Sequence, residues 1–269
     1  MRKKIVLIAL PLCLSICFSF KLLAQEKPIP KHHLSLFYGV QYNMRFDAVY
    51  SRLPRYGGSH NGTLQYEYKS KTCLLTTALG FSTGTWGIKD NPISQLLSYN
   101  GQFKLHCLFN LTPSTLQENK LAFYLGGNLG FGGEIWFPES YLLAYGWDIN
   151  LGLGLSAALH YAISPKLSLQ YDFNFHCLGV LWRPHNNGQQ LITEELQKEK
   201  GTLAAAFETP RFAHVLNTIY MENRLRLVYH ITNNLALNYA FILAYKHLKQ
   251  PLIKKGIDIN NTIGLTYKF

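Results

Sequence analysis

A chain of 269 residues in which only 15% are charged, against 14% aromatic and 21 glycines, lacks the charge of a typical soluble α/β enzyme. Beyond its N-terminus no stretch reaches about 18 apolar residues, so a bundle of membrane helices is excluded as well. The formal net charge of +11 invites an anionic partner, but the bases are dispersed rather than clustered beside aromatics, which argues against nucleic acid.

The first element is a positive region (Arg2, Lys3, Lys4) followed by an apolar run from Ile5 to Phe20, interrupted by Pro11. That run is short of the roughly 20 residues a spanning helix requires. It reads as a signal peptide over 1–24, cleaved after Ala24 to leave Gln25 as the mature N-terminus. Removing it takes away four bases (Arg2, Lys3, Lys4, Lys21) and no acid, so the net charge falls from +11 to +7. Leu12 and Ile16 precede Cys13 and Cys17 where lipidation needs a small residue, which excludes a lipoprotein. A short segment, 25–32, leads into the remaining domain, 33–269.

From His33 onward the pattern is alternation. Ten strands are predicted, at about 34–46, 62–69, 72–84, 99–111, 121–137, 149–163, 167–181, 219–231, 235–245 and 257–269. In 149–163, Leu151, Leu153, Leu155, Ala157, Leu159, Tyr161 and Ile163 share one parity, opposite Gly152, Gly154, Ser156 and His160. In 167–181 the apolar parity runs from Leu167 through Phe173, Phe175, Cys177 and Gly179 to Leu181. Period two over that length means a strand with one apolar and one polar face. These strands are about twice the usual five to six residues of globular sheets, which argues against a soluble sandwich. The fold class expected is an all-β, transmembrane, antiparallel up-and-down barrel of about ten strands.

The connections alternate in length. Long ones cover 47–61, 85–98, 138–148, 183–218 and 247–256; short ones are Ser70-Lys71, Thr112 to Lys120, Ser164-Pro165 and Thr232 to Asn234. In the longest, 183–218, helix formers run from Ile192 to Lys200 with Thr193 as a possible N-cap and Gly201 as the stop. A lid folded into the lumen or an external recognition element would use such a segment, and so would a mobile loop. Aromatic residues fall at strand ends: Tyr161, Tyr229 and Tyr267 on one side, Tyr42, Phe46, Phe137 and Tyr245 on the other, as interfacial belts require. Cys73, Cys107 and Cys177 are an odd set with no close pair, so they predict neither a disulfide framework nor a zinc site and read as small apolar residues on the lipid face.

The final strand closes with Ile263, Leu265, Tyr267 and Phe269 on one parity. This resembles the C-terminal strand of Gram-negative outer-membrane β-barrel proteins. The resemblance implies residence in the outer membrane among its lipids and lipopolysaccharide, whose phosphates would suit the basic residues. It implies long loops outside, short turns and both termini in the periplasm, and delivery by the barrel assembly machinery reading the strand that ends at Phe269. Asn223 and Asn261 depart from the pattern, occupying positions expected to face lipid.

The opposite parity supplies a lumen: Arg45, Gln65, Glu67, Lys104, His106, Glu134, His160, Asp172, His176, Glu222, Arg224, Arg226, Lys246, Asp258 and Lys268. Both signs are present, so the charges can satisfy one another in a barrel barely wider than one filled by its own side chains. A salt-bridged filling and a narrow polar pore or charged ligand site produce similar sequences. His106, His160, His176 and Glu134 lie on different strands without local ligand spacing, so no metal site is expected, nor any cofactor. Membrane hydrolases of the phospholipase and lipid A deacylase kinds need a Ser–His pair near lipid, and the outward parity carries essentially none. The omptin surface proteases use rim Asp and His; here Asp47, His60, Asp90, Asp148 and His185 are scattered singly. No catalytic residue is expected. The functional expectation is a non-enzymatic barrel that conducts or binds a small polar solute. A structural barrel presenting its outer loops to a partner or surface glycan is the alternative, and a membrane-embedded hydrolase a distant third.

Overall fold

The computed structural model describes residues 31–47, 53–88, 91–112, 120–138, 146–182, 211–214, 218–249 and 253–269. The expected leader over 1–24, the expected helical stretch 192–200 and the residues Asp90 and His185 lie outside them, as does the expected segment 25–32 apart from Lys31 and His32, which belong to the first strand. The elements are β1 (Lys31–Asp47), β2 (Arg55–Lys69), β3 (Cys73–Ile88), β4 (Asn91–Asn110), β5 (Leu121–Pro138), β6 (Gly146–Ala162), β7 (Leu167–Trp182), β8 (Arg211–His214), β9 (Thr218–His230), β10 (Leu235–Leu248) and β11 (Lys254–Lys268).

Strands β1 to β7 and β9 to β11 each pair antiparallel with the next in sequence, β7 pairs with both β8 and β9, and β1 pairs with β11 from His33↔Lys268 to Asp47↔Lys254, closing the sheet. The four-residue β8 pairs with the outer end of β7, and β9 continues along the same edge of β7. The two together form one interrupted stave, so the barrel has ten. Closure pairs every sheet edge, the condition for a strand structure to sit in hydrocarbon.

The alternation sorts the faces as expected. Leu36 (64% exposed), Leu155 (59%) and Ile263 (62%) stand on the outer wall, whereas Ser35, Asn43, Gln65, Asn128 and Asn174 are buried inside. An apolar surface of this extent is far beyond what a soluble monomer presents. The two outward asparagines keep the predicted register and are satisfied sideways: Tyr171 donates to Asn223 Oδ1 at 2.6 Å and Tyr239 to Asn261 Oδ1 at 2.7 Å. Cross-strand tyrosines thus lower the cost of an amide facing lipid by satisfying its carbonyl oxygen. Phe269 stacks on Tyr267 and His32 at the rim where the chain ends meet.

At that rim three of the short turns share one device. Ser70 Oγ accepts from the backbone N–H of Thr72 and Cys73, Ser164 Oγ from Lys166 and Leu167, and Thr232 Oγ1 from Asn234 and Leu235. A short hydroxyl side chain replaces the missing ladder partner at each of these three reversals.

Three expectations need correction. The strands run further at the long-loop end than predicted: β2 starts at Arg55 rather than 62, and β4 at Asn91 rather than 99. Gly57, Gly58, Ser59 and Asn61 hide the alternation there, but their backbone still pairs with β1. Loop 183–218 gives up residues to β8. Finally, the parity assigned to 167–181 fails beyond Cys177. His176 faces Gly154 while Leu178 faces Leu153, so Cys177 is an extra, bulged residue. Past it, Leu178 is exposed and Leu181 buried.

Candidate functional site

The lumen is organised in three levels. At the loop end, Arg45 from β1, Glu134 from β5, Asp148 from β6, Lys246 from β10 and Lys254 and Asp258 from β11 converge. Arg45 Nη1 donates to Glu134 Oε2 at 2.8 Å, and its Nη2 to both oxygens of Asp258 at 3.2 and 3.3 Å. Lys254 pairs with Asp148 and, at 3.4 Å, with Glu134, while Lys246 lies 3.7 Å from Asp148. Asp148 is 0% exposed, Lys254 2%, Glu134 6% and Arg45 7%. Three bases and three acids therefore neutralise one another out of water, where an unmatched charge would be prohibitive. Two indoles complete the layer: the Arg45 guanidinium lies 4.7 Å from the Trp86 ring and the Lys254 ammonium 4.8 Å from that of Trp136.

Below it lies a chamber of about 180 Å³. Its wall carries Glu222, which accepts from Lys104 Nζ at 2.5 Å, from the Tyr220 hydroxyl at 2.9 Å and from Asn174 at 3.4 Å. Arg224 donates to Gln65 Oε1 at 2.8 Å and its guanidinium sits 4.9 Å from the Phe37 ring. His106 and Asp172 line the same space, and His176 packs on Tyr220 with 4.6 Å between ring centres. Gly152 matters here: a Cβ at that position would occupy the space of the His176 imidazole.

The third level separates the chamber from the turn end. Glu67 is held by Arg226 Nη2 and by His33 Nδ1, each at 3.3 Å, beside His160 and Tyr124. Beyond this level a cup of about 470 Å³ opens at the turn end.

All eleven residues of the expected polar cluster face the lumen, but they fall into different levels. Arg45, Glu134 and Lys246 belong to the loop-end layer; Lys104, His106, Asp172, His176, Glu222 and Arg224 to the chamber; Glu67 and Arg226 to the inner layer. Asp148, placed at the rim by sequence, is instead fully buried in the first layer, and Lys254, assigned to a loop, is its partner. His60 belongs to β2 and stands on the outer wall, where Tyr38 packs against it. Trp86 and Trp136 carry no signal in the sequence beyond parity: Trp136 shares the inward parity of Glu134, and both indoles are buried. Among the described residues no three of His, Cys, Asp and Glu come together as a metal-binding group.

A closed antiparallel barrel, apolar outside and charge-paired within, is a transmembrane β-barrel. Among solved structures the chain is similar to the outer-membrane protease OmpT of Escherichia coli, at 8% identity over 89% of this chain and 96% of that one, with a TM-score of 0.48. It is also similar to the translocator domain of the autotransporter NalP of Neisseria meningitidis (7% identity, 97% and 96% covered, TM-score 0.44) and to Neisserial surface protein A (10%, 88% and 97%, 0.34). The sequence matches no protein-family model and no curated protein sequence.

Proposed function

We propose that this is a non-enzymatic barrel of the Gram-negative outer membrane that holds a small polar solute in its lumen rather than conducting continuously. The leader over 1–24 and the strand ending at Phe269 support delivery to that membrane by secretion and the barrel assembly machinery. The observation that carries the solute reading is the chamber between two ion-paired layers. Its volume is close to the roughly 150 Å³ of a protein cavity that accepts benzene, so the ligand has about six to nine non-hydrogen atoms. Charges of both signs on its wall favour a zwitterion or a hydroxylated solute over a lipid. An interaction barrel presenting its outer loops is the second reading, supported by the extension of β2 and β4 at that end.

The test combines conductance and binding on the refolded mature protein. In a planar bilayer no stable steps are expected. In detergent, a panel of alanine, serine, aspartate and glycerol should include a solute that raises the unfolding temperature, and Glu222→Gln should abolish that rise. Stable steps in the native barrel would replace the solute reading with a pore. Silence in both experiments would favour the interaction barrel.

A further inference from the structure

We propose that the cup at the turn end is a binding site for a small soluble anion carrying two or more negative charges, of the pyrophosphate class. The cup is built from the last residues of β2 and β11, the β2–β3 turn and the start of β5. These bring Lys69, Lys71, Lys120 and Lys268 around one cavity of about 470 Å³. Glu67 is the one carboxylate among the described lining residues, and it is already engaged by Arg226 and His33 at 3.3 Å each. The cup is therefore strongly positive, and low-dielectric walls focus that potential on its interior.

A second, independent observation lies at its floor. His160 is 6% exposed, its ring is tilted against Tyr124 at 5.1 Å, and neither of its ring nitrogens has a hydrogen-bond partner. A buried imidazole without partners is costly unless a ligand or water completes it. An oxyanion entering between the ammonium groups accepts the imidazole N–H and offsets the repulsion among the lysines. Lys69 lies 5.9 Å from the Tyr124 ring and Lys268 Nζ 3.2 Å from His230 Nδ1, so both are held toward the lumen. Lys69 and Lys268 point into the lumen rather than onto the lipid-facing wall, which favours a soluble anion over a phospholipid headgroup. The cup meets the chamber only at the layer of Glu67, His160 and Arg226, which lines both.

The experiment is calorimetric titration of the mature barrel in a zwitterionic detergent with sodium pyrophosphate and, at matched ionic strength, sodium acetate. Pyrophosphate is expected to bind at least tenfold tighter than acetate. Lys69→Gln/Lys268→Gln should weaken it at least tenfold, as should the more exposed pair Lys71→Gln/Lys120→Gln, while Lys255→Gln on the outer wall leaves it unchanged. Heat-modifiable gel migration checks that each variant is folded, and either pair suffices for the test. Equal binding of the two salts, or unaltered pyrophosphate binding in a folded double variant, overturns the site. An anionic phospholipid seen by native mass spectrometry and not displaced by pyrophosphate overturns the soluble-anion assignment.

Discussion

Lys254→Met asks whether the loop-end layer is a rigid seal. Methionine keeps the length and apolar stem of lysine, so the substitution removes charge with little loss of packing. Lys254 is 2% exposed and pairs with Asp148 and Glu134. Removing one member of a buried pair costs about 3–5 kcal/mol. Here Asp148 retains Lys246 at 3.7 Å and Glu134 retains Arg45 at 2.8 Å, which places the loss near the lower bound, about 3 kcal/mol. Asp148→Asn leaves Lys254 its contact with Glu134 and should lose about 2 kcal/mol. The double variant strands neither Lys254 nor Asp148 and leaves only Lys246 without its acid, so its loss should be about 3 kcal/mol rather than the sum, a coupling of about 2 kcal/mol. Urea unfolding in lipid vesicles, followed by the intrinsic fluorescence of the four tryptophans, measures all three. A Lys254→Met loss below about 1 kcal/mol with additive behaviour would refute the layer as a coupled unit.

Phe241→Arg, at mid-height on the outer wall of β10, should cost about 2–4 kcal/mol in the same vesicle assay, against about 0–1 for Tyr267→Arg at the rim; the reverse order would contradict the placement of the wall in the bilayer. Gly154→Ala would drive a Cβ into the Phe175 carbonyl across the β6–β7 joint. It should lose about 1–3 kcal/mol of stability by thermal unfolding, whereas Gly133→Ala, whose Cβ would meet Ile149 at an ordinary 3.8 Å, should be near neutral.

What could be read from the sequence follows from where the two barrel faces differ. Strands such as β6 and β10 are plain because leucine and tyrosine alternate with glycine, serine, alanine and asparagine. The outer part of β2 is not, because neither parity there is apolar: a wall clear of hydrocarbon needs backbone pairing but no greasy face. The bulge at Cys177 was equally hidden, since residues 177–181 (CLGVL) are apolar or small on both parities and tolerate either register. Inward residues could be named, but their depth could not. Arg45 finds Glu134, 89 residues away, and Lys254 finds Asp148, 106 residues away, only once ten strands share one set of registers. Depth separates the seal, the chamber and the cup, so the site became visible only with closure.

The joint between β1 and β11 has a consequence for how the barrel comes into being. Every other joint unites staves that follow one another along the chain, whereas this one brings His33 against Lys268 and lets His32 and Phe269 exchange backbone hydrogen bonds. Until the last residue has been delivered, the sheet has two raw edges, each an open template for a foreign strand. Contacts of such sequence separation are also the slowest to form. The nascent chain therefore passes through a long interval as an open, sticky ribbon, and its safe maturation depends on something shielding those two edges until the first strand and the last meet.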